Sequence, residues 1–121
     1  MIPATLEFTV PGPPQPKERA RTVRGHSFTP ARTATYERLV ALLALKAGAK
    51  PWFNPVRLTL RFYCPDARRR DWDNLAKSVC DALNGTGWND DSQIVAATVE
   101  KCVDRAQPRV WVKVEYLAER A

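Results

Sequence analysis

Residues 56–63 alternate strictly, with an apolar side chain at every even position and a polar or tyrosine side chain at every odd one. A period of two is that of a β-strand whose one face packs on a core while the other meets solvent. Such a strand needs a second layer of structure to cover its apolar face. Similar patterns predict further strands at 5–10, 94–103 and 109–117.

Two segments, 30–46 and 71–83, have apolar residues at the spacing of a helix. The expected buried stripe of the first is Tyr36, Leu39, Val40, Leu43 and Ala47. That of the second is Trp72, Leu75, Ala76, Val79 and Leu83. Thr29 would cap the first helix, with Pro30 as its first residue. The predicted fold is a single α+β domain over residues 1–121, with a mixed β-sheet and the element order β-α-β-α-β-β.

The 121-residue chain carries a net charge of +6, which is unevenly distributed. Residues 1–70 hold 13 Lys/Arg against 4 Asp/Glu, whereas residues 71–121 hold 6 against 9. A basic excess of this kind favours a polyanionic partner, nucleic acid above all. A basic loop at 17–24 follows a proline-rich stretch, and its cations are Lys17, Arg19, Arg21 and Arg24. This loop is either a solvated mobile segment or an arm that contacts phosphates.

Several protein classes do not fit the sequence. The longest near-pure apolar run, residues 39–45, has seven residues, whereas a membrane span needs about 20. No charged leader followed by an apolar stretch opens the chain, so we expect a cytoplasmic protein that is neither secreted nor bound to a membrane. Three widely spaced cysteines and a single histidine, His26, argue against a disulfide framework and against a structural zinc site.

Five aspartates lie close together in the sequence: Asp71, Asp73, Asp81, Asp90 and Asp91. Each has an ordinary explanation, as a helix cap, a partner of Lys77 or a turn residue. Held together, three carboxylates repel one another and need divalent cations, and short Asp side chains suit Mg²⁺. Asp71 and Asp73 can converge only if Asp71 lies before the first helical turn, because positions i and i+2 of a helix point to opposite faces.

Three ordered segments carry a family resemblance: Arg68-Arg69-Arg70-Asp71-Trp72-Asp73-Asn74-Leu75-Ala76-Lys77, Asp81-Ala82-Leu83 and Trp88-Asn89-Asp90-Asp91-Ser92-Gln93-Ile94-Val95. They closely resemble the RusA-type Holliday junction resolvases, whose pattern is D-x-D-N-x-x-K, then D-x-L, then D-D-x-Q-[VI]. A compound and ordered pattern is far more specific than one short motif. The early Pro-Gly-Pro-Pro segment and Lys101 also resemble the family. The similarity extends over residues 5–117 and is strongest at 64–101.

The resemblance implies a small homodimeric endonuclease that resolves four-way DNA junctions by paired symmetric nicks, in recombination and repair. It implies Mg²⁺, with Mn²⁺ as a substitute, and no small-molecule cofactor beyond the metal. The family's catalytic carboxylates match Asp71, Asp73 and Asp91, which would also be the metal ligands, with Asp90 as a further candidate. Its catalytic lysine matches Lys77. The enzyme would associate with the nucleoid when acting.

From their charge, the residues expected to contact DNA phosphates are Lys17, Arg19, Arg21, Arg24, Arg68, Arg69, Arg70 and Lys101. Two other interpretations remain open. A non-catalytic DNA-binding module would use the same basic half, with structural aspartates. A metal nuclease of another family, such as the PD-(D/E)-x-K group, could begin at Pro65-Asp66, but Glu100-Lys101 lacks the intervening residue of that signature.

Overall fold

The computed structural model describes residues 4–118 of the chain. Its strands are Thr5–Pro11 (β1), Arg21–Val23 (β2), His26–Phe28 (β3), Val56–Cys64 (β4), Ile94–Val103 (β5) and Arg109–Tyr116 (β6). Its helices are Ala31–Lys46 (α1) and Trp72–Leu83 (α2), and a 3₁₀ turn, Asp91–Gln93, precedes β5. The prediction of a single small α+β domain with a mixed sheet and two helices is confirmed.

Four strands form the main sheet in the order β1, β6, β4, β5. β6 is antiparallel to both of its neighbours, whereas β4 and β5 run parallel. Parallel neighbours need a crossover connection, and α2 supplies it. The alternation predicted at 56–63 is confirmed, because every even-numbered residue of β4 is buried.

The core lies between one face of the sheet and the two helices. Alternate residues of β1, β4 and β6 point into it, as their sequence pattern predicts. The side chains that α2 buries there are Leu75, Ser78, Val79, Ala82 and Leu83. The other face of the sheet is polar, with the Arg57–Glu115 ion pair at 3.5 Å. The first residues of both helices are exposed to solvent: Ala31 and Arg32 in α1, and Trp72, Asp73 and Asn74 in α2.

Some helix positions differ from the expectation. Trp72 is 58% exposed rather than buried, because the first residues of α2 all face solvent and burial begins at Leu75. Leu39 and Ala47 are also exposed. The buried residues of α1 are instead Thr33, Tyr36, Val40 and Ala44. Pro30 has φ −54° and ψ 145°, an extended conformation, so it precedes α1 instead of forming its first residue.

A β-hairpin begins within the basic loop predicted at 17–24 and extends to Phe28, which corrects the expected element order to β-β-β-α-β-α-β-β. β2 and β3 pair antiparallel, with Val23 opposite His26. Between them, Arg24 and Gly25 have φ angles of 51° and 79°. Two consecutive positive φ angles characterise the type I′ turn, whose twist suits a hairpin. Strands of three residues are too short for an alternating pattern to reveal, so the sequence indicated a loop.

β5 forms one edge of the sheet, and little covers it. Of its ten residues, only Ile94 and Val99 are partly buried. Val95 is 63% exposed and Val103 48%. Folded proteins usually protect a long apolar edge strand, because it can pair with another chain.

The three cysteines lie in three different elements and are free thiols: Cys64 in β4, Cys80 in α2 and Cys102 in β5. The helices within residues 4–118 have 16 and 12 residues. Neither of them is long and apolar enough to cross a membrane.

Candidate active site

α2 begins at the acidic pair that follows the arginine run. Asp71 is the residue just before the helix, in an extended conformation with φ −76° and ψ 125°. The condition under which Asp71 and Asp73 can lie on the same side of the helix start is therefore met. Asp71 makes no capping hydrogen bond, so a plain capping role is not observed. Its carboxylate lies 3.7 Å from Nε of Arg69.

Two contacts fix the backbone that leads into Asp71. The guanidinium of Arg70 folds back onto Asp66, with Nη1 2.8 Å from Oδ1. The ammonium of Lys101 donates a hydrogen bond to the carbonyl oxygen of Arg70. The hydrogen bond from Arg70, helped by one from the backbone of Arg68, lowers the pKa of the Asp66 carboxyl. The position of Asp71 therefore depends on side chains from the preceding loop and from β5.

Lys77 lies one turn after Asp73 and is 60% exposed. Of Asp73 and Asp81, which lie one helical turn before and after it, Asp81 is the one within ion-pair distance, at 3.8 Å from Nζ. Asp81 is closer to Nζ of Lys17, at 3.1 Å, and Lys17 also contacts Glu37 at 2.8 Å. Burial by itself lowers the pKa of Lys17, but the hydrogen bonds and charges of Glu37 and Asp81 outweigh it and raise the pKa. Asp81 thus anchors the N-terminal segment to α2 and holds Lys77 only loosely.

The segment from Asp90 to Gln93 forms the 3₁₀ turn that precedes β5. Oδ2 of Asp90 accepts a 2.9 Å hydrogen bond from the N–H of Ser92, and the N–H of Asp90 donates to Gln93 at 2.7 Å. The hydrogen bond from Ser92 lowers the pKa of the Asp90 carboxyl. Gln93 also donates to the carbonyl oxygens of Trp52 and Asn54, both at 2.8 Å. Asp90 therefore has a structural role that is sufficient to explain it.

Asp91 is partly buried beside the end of α2. Its Oδ1 accepts a 2.7 Å hydrogen bond from Nε1 of Trp88, whose side chain is fully buried. Burial, followed by the charges of Asp91 and Asp81, raises the pKa of Cys80 to about 12. Asp91 lies three residues before Ile94, which pairs with Val56 at the start of β4, whereas the chain enters α2 from the other end of that strand.

The predicted catalytic residues consequently form two separate groups. Asp71 directly precedes α2 and Asp73 and Lys77 lie in its first half, whereas Asp91 lies at the opposite end of the β4–β5 pair. The helix has 12 residues, which makes it about 18 Å long at 1.5 Å per residue. Within residues 4–118, no three His, Cys, Asp or Glu side chains come together as a metal site.

The predicted DNA contacts also divide into two groups. Those that are exposed and make no side-chain hydrogen bond within residues 4–118 are Arg19, Arg21, Arg24, Arg68 and Arg69, of which Arg68 and Arg69 lie 3.8 and 3.7 Å from the carboxylates of Asp66 and Asp71. Those held by intramolecular bonds are Lys17, Arg70 and Lys101. A side chain of the second group would have to leave its carboxylate or carbonyl partner to reach a phosphate. The first group is therefore the better set of candidates for DNA contact.

Comparison with known proteins bears directly on this arrangement. The family model of the endodeoxyribonuclease RusA matches residues 11–115. The chain belongs to the RusA family. The crossover junction endodeoxyribonuclease RusA of Escherichia coli (strain K12) is 36% identical to it over 99 residues, covering 80% of this chain and 82% of the relative. The enzyme of Enterobacteria phage 82 is 36% identical over 102 residues, with the same coverage.

The RusA resemblance inferred from the three sequence segments is thereby confirmed, and so is the assignment to the endodeoxyribonucleases. The contacts that support the RusA motif were not predicted from the sequence. Trp88 was noted only as the first residue of the third family segment, and its indole hydrogen bond to Asp91 was not anticipated. The only available signal was that a buried tryptophan N–H needs an acceptor. Lys101 was expected to contact DNA, and its bond to the backbone before Asp71 was likewise not foreseen.

Replacing the indole that holds Asp91 should weaken catalysis. Trp88→Phe keeps an aromatic ring in the core but removes the hydrogen bond to Oδ1. Loss of a partner that orients a catalytic or metal-binding group typically costs roughly 10–100-fold in metal affinity or activity. We expect a loss of this size in single-turnover DNA cleavage.

Trp111→Phe is the matched control for Trp88→Phe. It also removes an indole hydrogen bond, 2.9 Å to Oε1 of Glu7, but on the sheet face that carries no candidate catalytic residue. Thermal melts of both variants check that each remains folded. Equal cleavage rates for the two variants would contradict a positioning role for Trp88.

Proposed function

We propose that this chain is a Mg²⁺-dependent, structure-selective endonuclease, with Mn²⁺ as a substitute metal. It resolves four-way DNA junctions by paired symmetric nicks, in recombination and repair, and acts in the cytoplasm on nucleoid DNA. The proposal rests on one observation: in a RusA-family chain, Asp71, Asp73 and Lys77 lie at the exposed start of α2, directly after Arg68 and Arg69. Acids that can hold a cation, bordered by exposed arginines, are suited to a phosphodiester substrate.

The chemistry of the carboxylates fits a hard divalent cation. Asp71 has no capping bond to give up, and Asp73 uses one oxygen for the adjacent N–H of Asn74, at 2.9 Å. Each carboxylate retains unshared electron pairs for further ligation. Mg²⁺ prefers oxygen ligands, takes one or two carboxylates and keeps waters that substrate phosphates can replace. A cation bound here would supply charge neutralisation for the attacking water and the leaving oxygen.

The chain's own residues bind and orient the DNA. Arg68 and Arg69 hold the phosphates that flank the cut, since their side chains are 85% and 92% exposed. Lys77 directs its ammonium to the scissile phosphate and stabilises the charge that develops on its oxygens. Each cut forms one P–O bond from water and breaks one P–O ester bond. Asp81 limits the movement of Lys77 without neutralising it, because the two lie 3.8 Å apart and Lys77 stays exposed.

We further propose a two-fold homodimer that completes the metal site between its copies. Asp71 and Asp91 lie at opposite ends of α2 in one chain. A two-fold axis can bring Asp91 of one copy to Asp71 of the other without any new sequence. The edge strand β5, with Val95 and Val103 exposed, offers apolar surface for such pairing. Two symmetric sites would also account for paired cuts.

One experiment separates this function from the alternatives. A labelled synthetic four-way junction and a linear duplex are incubated with the protein in Mg²⁺ or in EDTA. We expect symmetric cuts in the junction with Mg²⁺ only. Binding without any cutting would indicate a DNA-binding module, and equal cutting of both substrates would indicate a different metal nuclease. The PD-(D/E)-x-K alternative has little support, because Asp66 is bound by Arg70.

Removing single negative charges should abolish cleavage without loss of DNA binding. Asp71→Asn, Asp73→Asn and Asp91→Asn each keep side-chain size but weaken the hold on the cation. Each also removes one charge that repels phosphates, so metal-free junction binding should be equal or tighter. Gel shifts in EDTA and single-turnover cleavage in Mg²⁺ measure the two effects. Near-normal cleavage by the Asp73 variant would refute the assignment.

Asp90→Asn is the control for these variants. Asparagine caps a turn about as well as aspartate, so the bond to Ser92 survives and cleavage should remain near normal. An Asp90→Asn variant as inactive as Asp91→Asn would make Asp90 a metal ligand.

Asp81→Asn should have a milder effect than the three catalytic variants, because Asp81 serves to anchor Lys17.

Lys77→Ala should slow the chemical step much more than it weakens binding. As an electrostatic stabiliser of the reacting phosphate, Lys77 should contribute a factor of roughly 10² or more in rate. As a mere partner of Asp81 it would contribute only a few tenths of a kcal/mol to stability, and cleavage would stay nearly normal. Single-turnover rates at saturating enzyme decide between these outcomes. Lys46→Ala, at the end of α1, controls for the loss of one positive charge.

Mixing inactive variants should restore activity if the site forms between copies. In a mixed dimer of Asp71→Asn and Asp91→Asn, one site lacks both acids and the other is intact. Random pairing after co-refolding leaves about a quarter of all sites intact, so nicking should reappear. Asp71→Asn mixed with Asp73→Asn should stay inactive, because those acids lie at the same end of α2. A monomeric mass of 13.7 kDa by light scattering, or no recovery in the first mixture, would contradict the shared site.

A further inference from the structure

The β2–β3 hairpin presents one face with a distinctive chemistry. Arg21 pairs with Phe28, and Val23 with His26. Side chains of paired residues, and of residues two apart, lie on the same face of a two-stranded sheet. One face therefore carries an arginine, a valine, a histidine and a phenylalanine, and the other carries only small hydroxyl side chains. Val23 is 55% exposed and Phe28 47%.

This hairpin has a defined shape but little support from the rest of the domain. Every residue from 21 to 29 is exposed. A two-stranded hairpin on its own is marginally stable in water. The type I′ turn at Arg24 and Gly25 still fixes its twist. Val23 and Phe28 are exposed and are not part of the domain core, so they can bind a partner without breaking core contacts.

The base of the hairpin adjoins the candidate active site. The N–H of Lys17 donates to the carbonyl oxygen of Asn74, at 3.0 Å. Residues 17–20 and Thr29 line a cleft of about 370 Å³ together with Asn74, Lys77 and Asp81. A ligand whose reacting atom lies at Lys77 therefore passes directly beside the hairpin.

The charge of the segment identifies the partner as a polyanion. Residues 17–28 carry four Lys/Arg and one acid. Within residues 4–118, Arg19, Arg21 and Arg24 take part in no ion pair. A protein surface that bound a second copy through Val23 and Phe28 would bring these cations together and repel itself. A duplex arm of DNA accepts both the cations and the apolar side chains.

We propose that the β2–β3 hairpin enters the major groove of the DNA arm beside the cut, with Val23 and Phe28 against base edges and Arg21 and Arg24 on phosphates. The major groove is wide enough for a two-stranded β-ribbon. Base edges there include the apolar thymine methyl group, whereas phosphate contacts fix the register. The inference rests on the proposed function, because it needs DNA at the candidate active site.

The test measures binding of a labelled four-way junction in EDTA over a range of salt concentrations. The double variant Val23→Ser/Phe28→Ser should bind roughly tenfold more weakly, as expected for lost base contacts, with an unchanged salt dependence. Arg21→Ala should instead flatten the slope of log affinity against log salt by about 0.9. The control, Leu42→Ser/Leu45→Ser, removes two side chains of α1 that are each 56% exposed and should bind normally.

Two further measurements address the shape of the hairpin and the groove. Gly25→Val leaves every contacting side chain in place, and its Cβ would meet no atom within 4 Å, but it strains a backbone with φ +79°. It should therefore reproduce the loss of the double variant. Junction arms whose cytosines carry glucosylated hydroxymethyl groups have a filled major groove. The wild-type protein should bind these arms as weakly as the double variant binds unmodified arms. Unimpaired wild-type binding to these arms would overturn the groove assignment.

The outcomes separate this inference from the proposed function. If the wild-type protein binds and cuts junctions but the double variant binds equally well, the hairpin inference is wrong and the function stands. If hairpin variants lose binding and the wild-type protein does not cut in Mg²⁺, the nuclease function is wrong, and the hairpin is a DNA contact but not one beside a cut. If the double variant falls from a dimer to a monomer by light scattering, the face pairs two chains and the inference is overturned.

Discussion

The parallel pairing of β4 with β5 determines where every candidate catalytic residue lies. Parallel strands must be joined by a crossover, and α2 provides it. The helix runs back along the strand pair, so Asp71 stands where it begins and Asp91 follows where it ends. An antiparallel pair joined by a short turn would have placed these two acids side by side. The fold instead separates them by the length of a helix, and this separation is the reason for the two-fold dimer proposed above.

Each end of that helix is held by a few polar contacts to groups that are themselves fixed. At the start, Lys101 and Asp66 hold the backbone and guanidinium of Arg70. At the end, the buried Trp88 holds Asp91, and Gln93 ties the turn to the loop before β4. Each of these bonds occupies at most one oxygen of a carboxylate. The remaining carboxylate oxygens are therefore still able to bind a cation. Precise placement and an open, exposed site are therefore compatible here.

The sequence predicted what depends on local periodicity and on the family motif. The strand at 56–63 and the stripe of Leu75, Val79 and Leu83 were both correct, because one face of each element meets the core. Trp72 was misassigned, since helical spacing gives the angle of a side chain but not how far the sheet extends beneath it. The separation of Asp71 from Asp91 was also missed. It depends on strand order, and periodicity carries no information about which strands pair.

Charge organises the functional surface on a larger scale. The acids at the start of α2 would repel DNA on their own, but exposed cations border them on two sides: Arg68 and Arg69 before Asp71, and Arg19, near the base of the hairpin, across the cleft from Lys77. Phosphate contacts add up over the whole surface and do not require a metal ion, so they can bind DNA before a cation is present. Local repulsion between acids and phosphates then falls only when a cation is bound. In the function proposed above, binding and cutting would thereby fall to different residues, and the protein would select a DNA shape before the chemistry begins.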